Sequence, residues 1–273
     1  MNAPQLAYRE SAGEGRPVVL VHGNSSSSRT WLPLLQGPFG RRFRCLAPDL
    51  PGHGASPRAG DRYSFALYTR ALADFVRDTH AEGALIVGMS LGGHIVIQAA
   101  PELPGAAGFA VFGAPLKSGP GAMAGRFLPH PSLGTALSGE VGPGEARAYA
   151  AAQLAPGAQP APEAVADILA TDPAARTDLS AALATGSFAD EIAIARGLRR
   201  PLAILHGSEE QLVNLRYLRV LAPTLPTLWR GEIQLVPGAG HSPHQEAPQA
   251  FTALLTDFEA SLPGPTAREP ADQ

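Results

Sequence analysis

Six short apolar runs constrain this chain more than any other feature of its sequence. They are Val18-Val19-Leu20-Val21, Arg44-Cys45-Leu46-Ala47, Leu85-Ile86-Val87, Phe109-Ala110-Val111-Phe112, Leu202-Ala203-Ile204-Leu205 and Ile233-Gln234-Leu235-Val236. A strand with one face in water alternates apolar and polar residues; these runs do not alternate, and Gly or Pro bounds them, as expected of strands covered on both faces in a parallel sheet. Helical patterns lie between them. Phe65, Tyr68, Leu72, Phe75 and Val76 follow Ser64, a suitable N-cap, and Phe251, Leu254, Leu255 and Phe258 follow Pro248 in a first turn. Alternating strands and helices imply right-handed βαβ units with helices on both faces of a mostly parallel central sheet, an α/β fold.

The pattern breaks once. From 117 to 195 there are few aromatics (Phe127, Tyr149, Phe188), much Ala, Pro and Gly, and only short apolar groups such as Val165, Ile168 and Leu169. The sequence therefore divides into a core of 1–116 and 196–262 and an insertion at 117–195, with 263–273, rich in Pro and polar residues, expected as a loose tail. The stretch Gly83 to Pro101 carries no formal charge, but Ser90, His94, Gln98 and its glycines make it strand, turn and helix rather than a membrane span. A net charge of −3 gives no basic stripe for nucleic acid and no basic tract for a membrane surface. The single Cys45 excludes an internal disulfide or a thiolate metal cluster, and the start shows no signal-peptide pattern, so a cytoplasmic protein is expected.

Gly88-Met89-Ser90-Leu91-Gly92 has the form G-x-S-x-G directly after an apolar run and before the helical stretch Ile95 to Ala100. With 30 Gly and 16 Ser the bare pattern arises by chance about 0.2 times, so its strand-turn-helix context carries the weight. In that context Ser90 is a candidate nucleophile; otherwise it is an incidental residue of a Gly-rich turn. A tetrahedral oxyanion needs backbone N–H donors beside the nucleophile, which nominates the amides of Leu91 and of Asn24, the latter in the polar loop after Val21. A serine also needs an imidazole to take its proton, and an acid to orient that imidazole. Of eight histidines, His241 follows the last strand run in a loop at its carboxyl end, where catalytic groups of open α/β sheets gather. His22, His53 and His206 resemble turn-packing residues, and His80, His94, His130 and His244 have no supporting context. Glu209 and Glu210, just after the Leu202 run, are the two candidate acids.

At this point the chain resembles the α/β-hydrolase family. Leu20-Val21-His22-Gly23 is similar to its oxyanion strand and turn, Ala47-Pro48-Asp49-Leu50-Pro51-Gly52-His53-Gly54-Ala55-Ser56 to the loop after its next strand, Gly88 to Gly93 to its nucleophile elbow, and Gly240-His241-Ser242-Pro243 with Glu246 and Pro248 to its His loop and following helix. The resemblance places the acid three residues after Gly207 and three before Val213, on Glu210, with Glu209 as the fallback. It also implies that the 117–195 insertion is a helical cap above Ser90. Two departures stand out. Relatives of this compact kind mostly carry Asp at the acid position, and the loop after Phe112, their other source of the acid, offers only Lys117 and Ser118. In front, Leu6 to Glu10 leaves room for one short strand, so the sheet is expected to be one N-terminal strand short.

The resemblance implies a serine hydrolase of carboxylic esters or lactones: Ser90 the nucleophile, His241 the base, Glu210 the orienting acid, Asn24 and Leu91 the oxyanion amides. Serine rather than aspartate at the elbow argues against dehalogenase or epoxide-hydrolase chemistry. Lyases, perhydrolases and C–C bond hydrolases share the triad, and a small-molecule receptor on the same scaffold is the alternative from another class. The expected partner is a small ester or related acyl substrate, with no metal or organic cofactor; oligomeric state is open.

Overall fold

The computed structural model describes residues 5–60, 62–119 and 125–264; from 265 onward the expected tail lies outside the described residues. Seven strands form one sheet: β1 (Tyr8–Glu10), β2 (Gly15–Val21), β3 (Phe43–Pro48), β4 (Leu85–Met89), β5 (Gly108–Phe112), β6 (Leu202–Gly207) and β7 (Gln234–Val236), in the spatial order β1-β3-β2-β4-β5-β6-β7. The six apolar runs fall on β2 to β7, and every neighbouring pair among these is parallel. The single short strand expected before β2 is β1, which pairs antiparallel with β3 along the sheet edge.

The pleat explains why the runs do not alternate. Val19, Val21, Ile86, Phe109 and Val111 point to one face, against Leu72 and Phe75 of the helix Phe65–Asp78 and Ile95 of the helix Leu91–Ala99. Val18, Leu20, Val87, Ala110 and Phe112 point to the other, against Trp31 and against Phe251, Leu255 and Phe258 of the helix Pro248–Ser261. Each large side chain buried this way contributes about 1.5–3 kcal/mol, so both faces must stay apolar. Ser64 caps its helix as expected, its Oγ accepting from Leu67 N at 3.1 Å. Among the described residues no helix is long and apolar enough to cross a membrane.

Between β5 and β6 the chain forms the helices Pro143–Ala152, Pro162–Ala170, Pro173–Thr185 and Glu191–Gly197. The first three start with Pro in the first turn, where its missing N–H costs nothing. The first two pack a small cluster of their own that includes Tyr149 and Ile168, while Ala175 and Ala182 of the third join the core against the sheet. Polar groups fasten them to the sheet side: Asp167 pairs with Arg29 and accepts from Ser27 Oγ at 2.7 Å.

The strand β4 and the helix Leu91–Ala99 meet without side chains between them. A Cβ on Gly88 would lie 2.5 Å from the Gly92 carbonyl oxygen and 2.7 Å from Gly93 Cα, both backbone. Gly88→Ala is accordingly expected to cost about 1–3 kcal/mol by overpacking, read as a Tm several degrees lower in a thermal melt; an unchanged Tm would show that the approach tolerates a methyl group.

Candidate active site

Ser90 sits on the turn between β4 and the helix Leu91–Ala99, with φ 51° and ψ −117°. A non-glycine residue in this region stores about 1–3 kcal/mol of strain, and persists only where its surroundings leave no alternative. Here Ser90 N donates to Phe112 O of β5 at 2.8 Å, and a Cβ on Gly92 would meet the Val21 carbonyl oxygen at 2.4 Å. The turn is clamped from both neighbouring strands, and Ser90 faces a cavity. Among the described residues its Oγ makes no hydrogen bond, so the hydroxyl is free; contacts from serine to a base are often long in a site without substrate.

His241 lies in the loop after β7, where Gly240 N donates to Glu246 Oε2 at 2.8 Å and Glu209 N donates to Ala239 O at 2.9 Å. Its ring is 3% exposed and lies against Gly113, whose φ of +63° has no room for a Cβ, since one would stand 2.6 Å from His241 Cε1. His241 Nδ1 is 2.7 Å from Glu210 Oε2. The structure thus pairs His241 with Glu210; Glu209 is exposed and accepts from Ser208 Oγ at 3.2 Å. Burial alone would raise the Glu210 carboxyl, but the His241 ring facing it, their hydrogen bond and the Leu212 N–H (2.7 Å) pull it below the usual carboxylate range. A carboxylate accepts only, so the ring donates from Nδ1 and turns Nε2 to the opposite side.

Leu91 N–H begins its helix and has no intrahelical acceptor. Among the described residues neither it nor Asn24 N–H donates to another group, and both residues line the cavity with Ser90 and His241. The Asn24 side chain is anchored above, Nδ2 donating to Ala136 O at 2.6 Å, while His22 Nδ1 donates to Gly23 O at 2.7 Å and Nε2 accepts from Leu50 N at 2.9 Å. His22, like His53, is therefore a turn-packing residue.

The cavity, of about 200 Å³, is mostly apolar: Phe65, Leu133, Leu137, Leu179, Leu183 and Leu212 form much of its wall, several of them from the segment between β5 and β6. Among the described residues no group of three His, Cys, Asp or Glu could hold a metal ion.

One cluster in this wall carries no signal in the sequence. His94, one turn beyond Ser90, and Lys117, just after β5, both line the cavity, and both contact Glu191, which is 0% exposed. Glu191 takes the Lys117 ammonium, Lys117 N (3.0 Å), Gln98 Nε2 (2.7 Å) and His94 Nδ1 (2.8 Å). Burial would raise its carboxyl; the His94 and Lys117 contacts outweigh that and lower it. Glu191 and its three partner residues come from three separate stretches, so only the folded chain assembles them.

Fold and site together define an α/β hydrolase, and the chain belongs to that family: the sequence profile of the Alpha/beta hydrolase family matches residues 18–254. In particular, the crystal structure of the N-acyl homoserine lactonase AidH complexed with N-butanoyl homoserine superimposes with a TM-score of 0.88, at 30% identity over 95% of this chain and 94% of that one. A putative aryl esterase from Burkholderia cenocepacia shares the fold with a TM-score of 0.79, at 22% identity over 93% of this chain and 94% of that one. Among curated relatives, a Mycobacterium tuberculosis esterase is 37% identical over 93 residues, 34% of this chain and 30% of its own. A haloalkane dehalogenase of Mesorhizobium japonicum is 32% identical over 101 residues, 36% of this chain and 32% of its own. The matches thus span about a third of the length of these curated relatives.

Removing one partner of a buried ion pair costs more than the pair contributes, because the other charge stays buried. Glu191→Gln is expected to lower stability at pH 7 by roughly 3–5 kcal/mol in a denaturant titration. The sign with pH follows from the lowered carboxyl: its contribution is complete above the unfolded value near pH 4.3 and fades as pH falls through the folded value. The variant should therefore lose less stability than the natural chain between about pH 5 and acid unfolding; parallel curves for the two proteins would contradict the assignment.

Proposed function

We propose that this protein is a serine hydrolase that opens carboxylic esters or lactones through an acyl-enzyme on Ser90. The observation that carries this reading is the buried His241–Glu210 pair sharing one cavity with the strained, unbonded Ser90. His241 Nε2 takes the Ser90 proton as Oγ attacks the acyl carbonyl, and the Asn24 and Leu91 amides receive the developing oxyanion. Glu210 keeps the ring in the tautomer with its proton on Nδ1 and stabilises the imidazolium, which returns the proton to the leaving alkoxide. Water then repeats the sequence on the acyl-enzyme with His241 as base.

The similarity to a lactonase over nearly the whole chain supports a lactone as substrate, and the apolar wall suits an aliphatic acyl chain such as that of an N-acyl homoserine lactone. Serine at the elbow supports acyl transfer over the aspartyl-ester chemistry of dehalogenases, despite the matching segment. In this reading the helices at 117–195 are a cap that shapes the acyl pocket and sheds water from it.

Two measurements test it. A fluorophosphonate probe is expected to modify Ser90 alone by peptide mass spectrometry, with labelling lost in Ser90→Ala and strongly slowed in His241→Ala; near-full turnover of a small aryl ester by Ser90→Ala would sink the proposal. Glu210→Gln is expected to lower kcat by on the order of 10³–10⁴-fold, against about twofold or less for Glu209→Gln. The reverse order would transfer the acid's role to Glu209.

A further inference from the structure

The cavity contains two imidazoles, each backed by a buried glutamate. His241 Nδ1 stands 2.7 Å from Glu210 Oε2, and His94 Nδ1 stands 2.8 Å from Glu191 Oε2. Both rings lie along the same cavity as Ser90, so each has Nε2 as its remaining nitrogen. The geometry of the two pairs is nearly the same; their charge balance is opposite.

Glu210 has no Lys or Arg partner among the described residues, which leaves its charge for the imidazolium of His241. Glu191 is already paired with the Lys117 ammonium. Lys117 is the only lysine in the 273 residues, every other Lys or Arg position being arginine. Its Nζ lies 4.4 Å from the Phe65 ring centroid and 4.8 Å from that of Phe188, a slot between two rings and a carboxylate that suits a compact ammonium better than a guanidinium fork. With that charge in place, Glu191 calls for a hydrogen bond from His94 but not for a second cation. Burial lowers the His94 pKa, and Lys117 and His241 oppose its protonation further, against the pull of Glu191. The ring is therefore neutral, with its proton on Nδ1 and a lone pair on Nε2.

That lone pair is unpartnered. Among the described residues Nε2 makes no hydrogen bond, although His94 is only 8% exposed, and what exposure it has is to a cavity whose wall is mostly apolar. Unlike the fully buried unpartnered nitrogens of His53, His206 and His244, it opens on the cavity, where a ligand can supply the donor. Its place one helical turn from Ser90, with His94 N donating to Ser90 O at 3.1 Å, sets it on the wall of the cavity that Ser90 also lines.

We propose that His94 Nε2 is an acceptor subsite that selects esters or lactones carrying a hydrogen-bond donor, a secondary-amide N–H or a hydroxyl, close to the scissile carbonyl, with Lys117 and Glu191 as the positioning residues that hold its tautomer. This rests on Ser90 being the nucleophile.

The test compares two lactones of one shape: α-(hexanoylamino)-γ-butyrolactone, and α-(2-oxoheptyl)-γ-butyrolactone, in which CH2 replaces the N–H. The natural chain is expected to favour the first by tenfold or more in kcat/KM. His94→Leu should bring the ratio close to one, and His94→Gln, whose amide oxygen can accept, should restore part of it. A ratio near one in the natural chain, or a ratio that His94→Leu leaves unchanged while Ser90 still takes a fluorophosphonate, overturns the subsite alone. Should His94→Leu fail to fold, the natural chain's ratio and that of His94→Gln decide. If the natural chain hydrolyses neither lactone and Ser90 takes no probe, the serine-hydrolase reading falls and the subsite falls with it.

Discussion

Everything at the cavity floor depends on the backbone of Ser90 being held where an L-residue does not rest by choice. Its φ of 51° persists because Phe112 of β5 accepts its N–H, and because Gly88 and Gly92 let the strand, the helix and β2 close on the turn with backbone against backbone. The strain is offset by the large apolar surfaces those elements bury on both faces of the sheet. A looser core would let the turn relax and withdraw the hydroxyl from the cavity.

Carboxylates, Glu210 and Glu191 buried and Glu246 half-buried, then place the loops around that turn. Glu210 joins the loops after β6 and β7 through His241, and Glu246 bridges Gly240 to Ala155 in the helical segment. Glu191 ties the last helix of that segment to the helix after Ser90 and to the chain leaving β5. In a dry interior such groups tolerate no missing partner, which is why each carboxylate fixes a geometry rather than merely adding stability. The contrast between Glu210, whose ion-pair partner among the described residues is the His241 ring alone, and Glu191, which has a lysine as well, gives two similar pairs different electrical characters. Neither burial nor distance alone separates them.

Much of this was legible in the chain itself. The six runs located β2 to β7, because strands covered on both faces lose the alternation that half-exposed strands show. The short gap before β2 left space for one strand, and β1 occupies it. Ser90, His241 and the Asn24 and Leu91 amides stood out because each follows a strand run at the carboxyl edge of a parallel sheet. Glu209 and Glu210 were inseparable by composition; in the fold one is exposed and the other is within 2.7 Å of His241.

The sequence by itself determined the sheet, the elbow and the order of the candidate groups, because those are written in local periodicity and in glycines adjacent to their turns. Only the tertiary structure decided which glutamate meets His241, and that His94, Lys117 and Glu191 share the cavity with Ser90. Residues 94, 117 and 191 have no local pattern in common. They meet because β5 lies beside β4 and the chain, after leaving β5, returns through its last helix, Glu191–Gly197, to pack on the helix that follows Ser90.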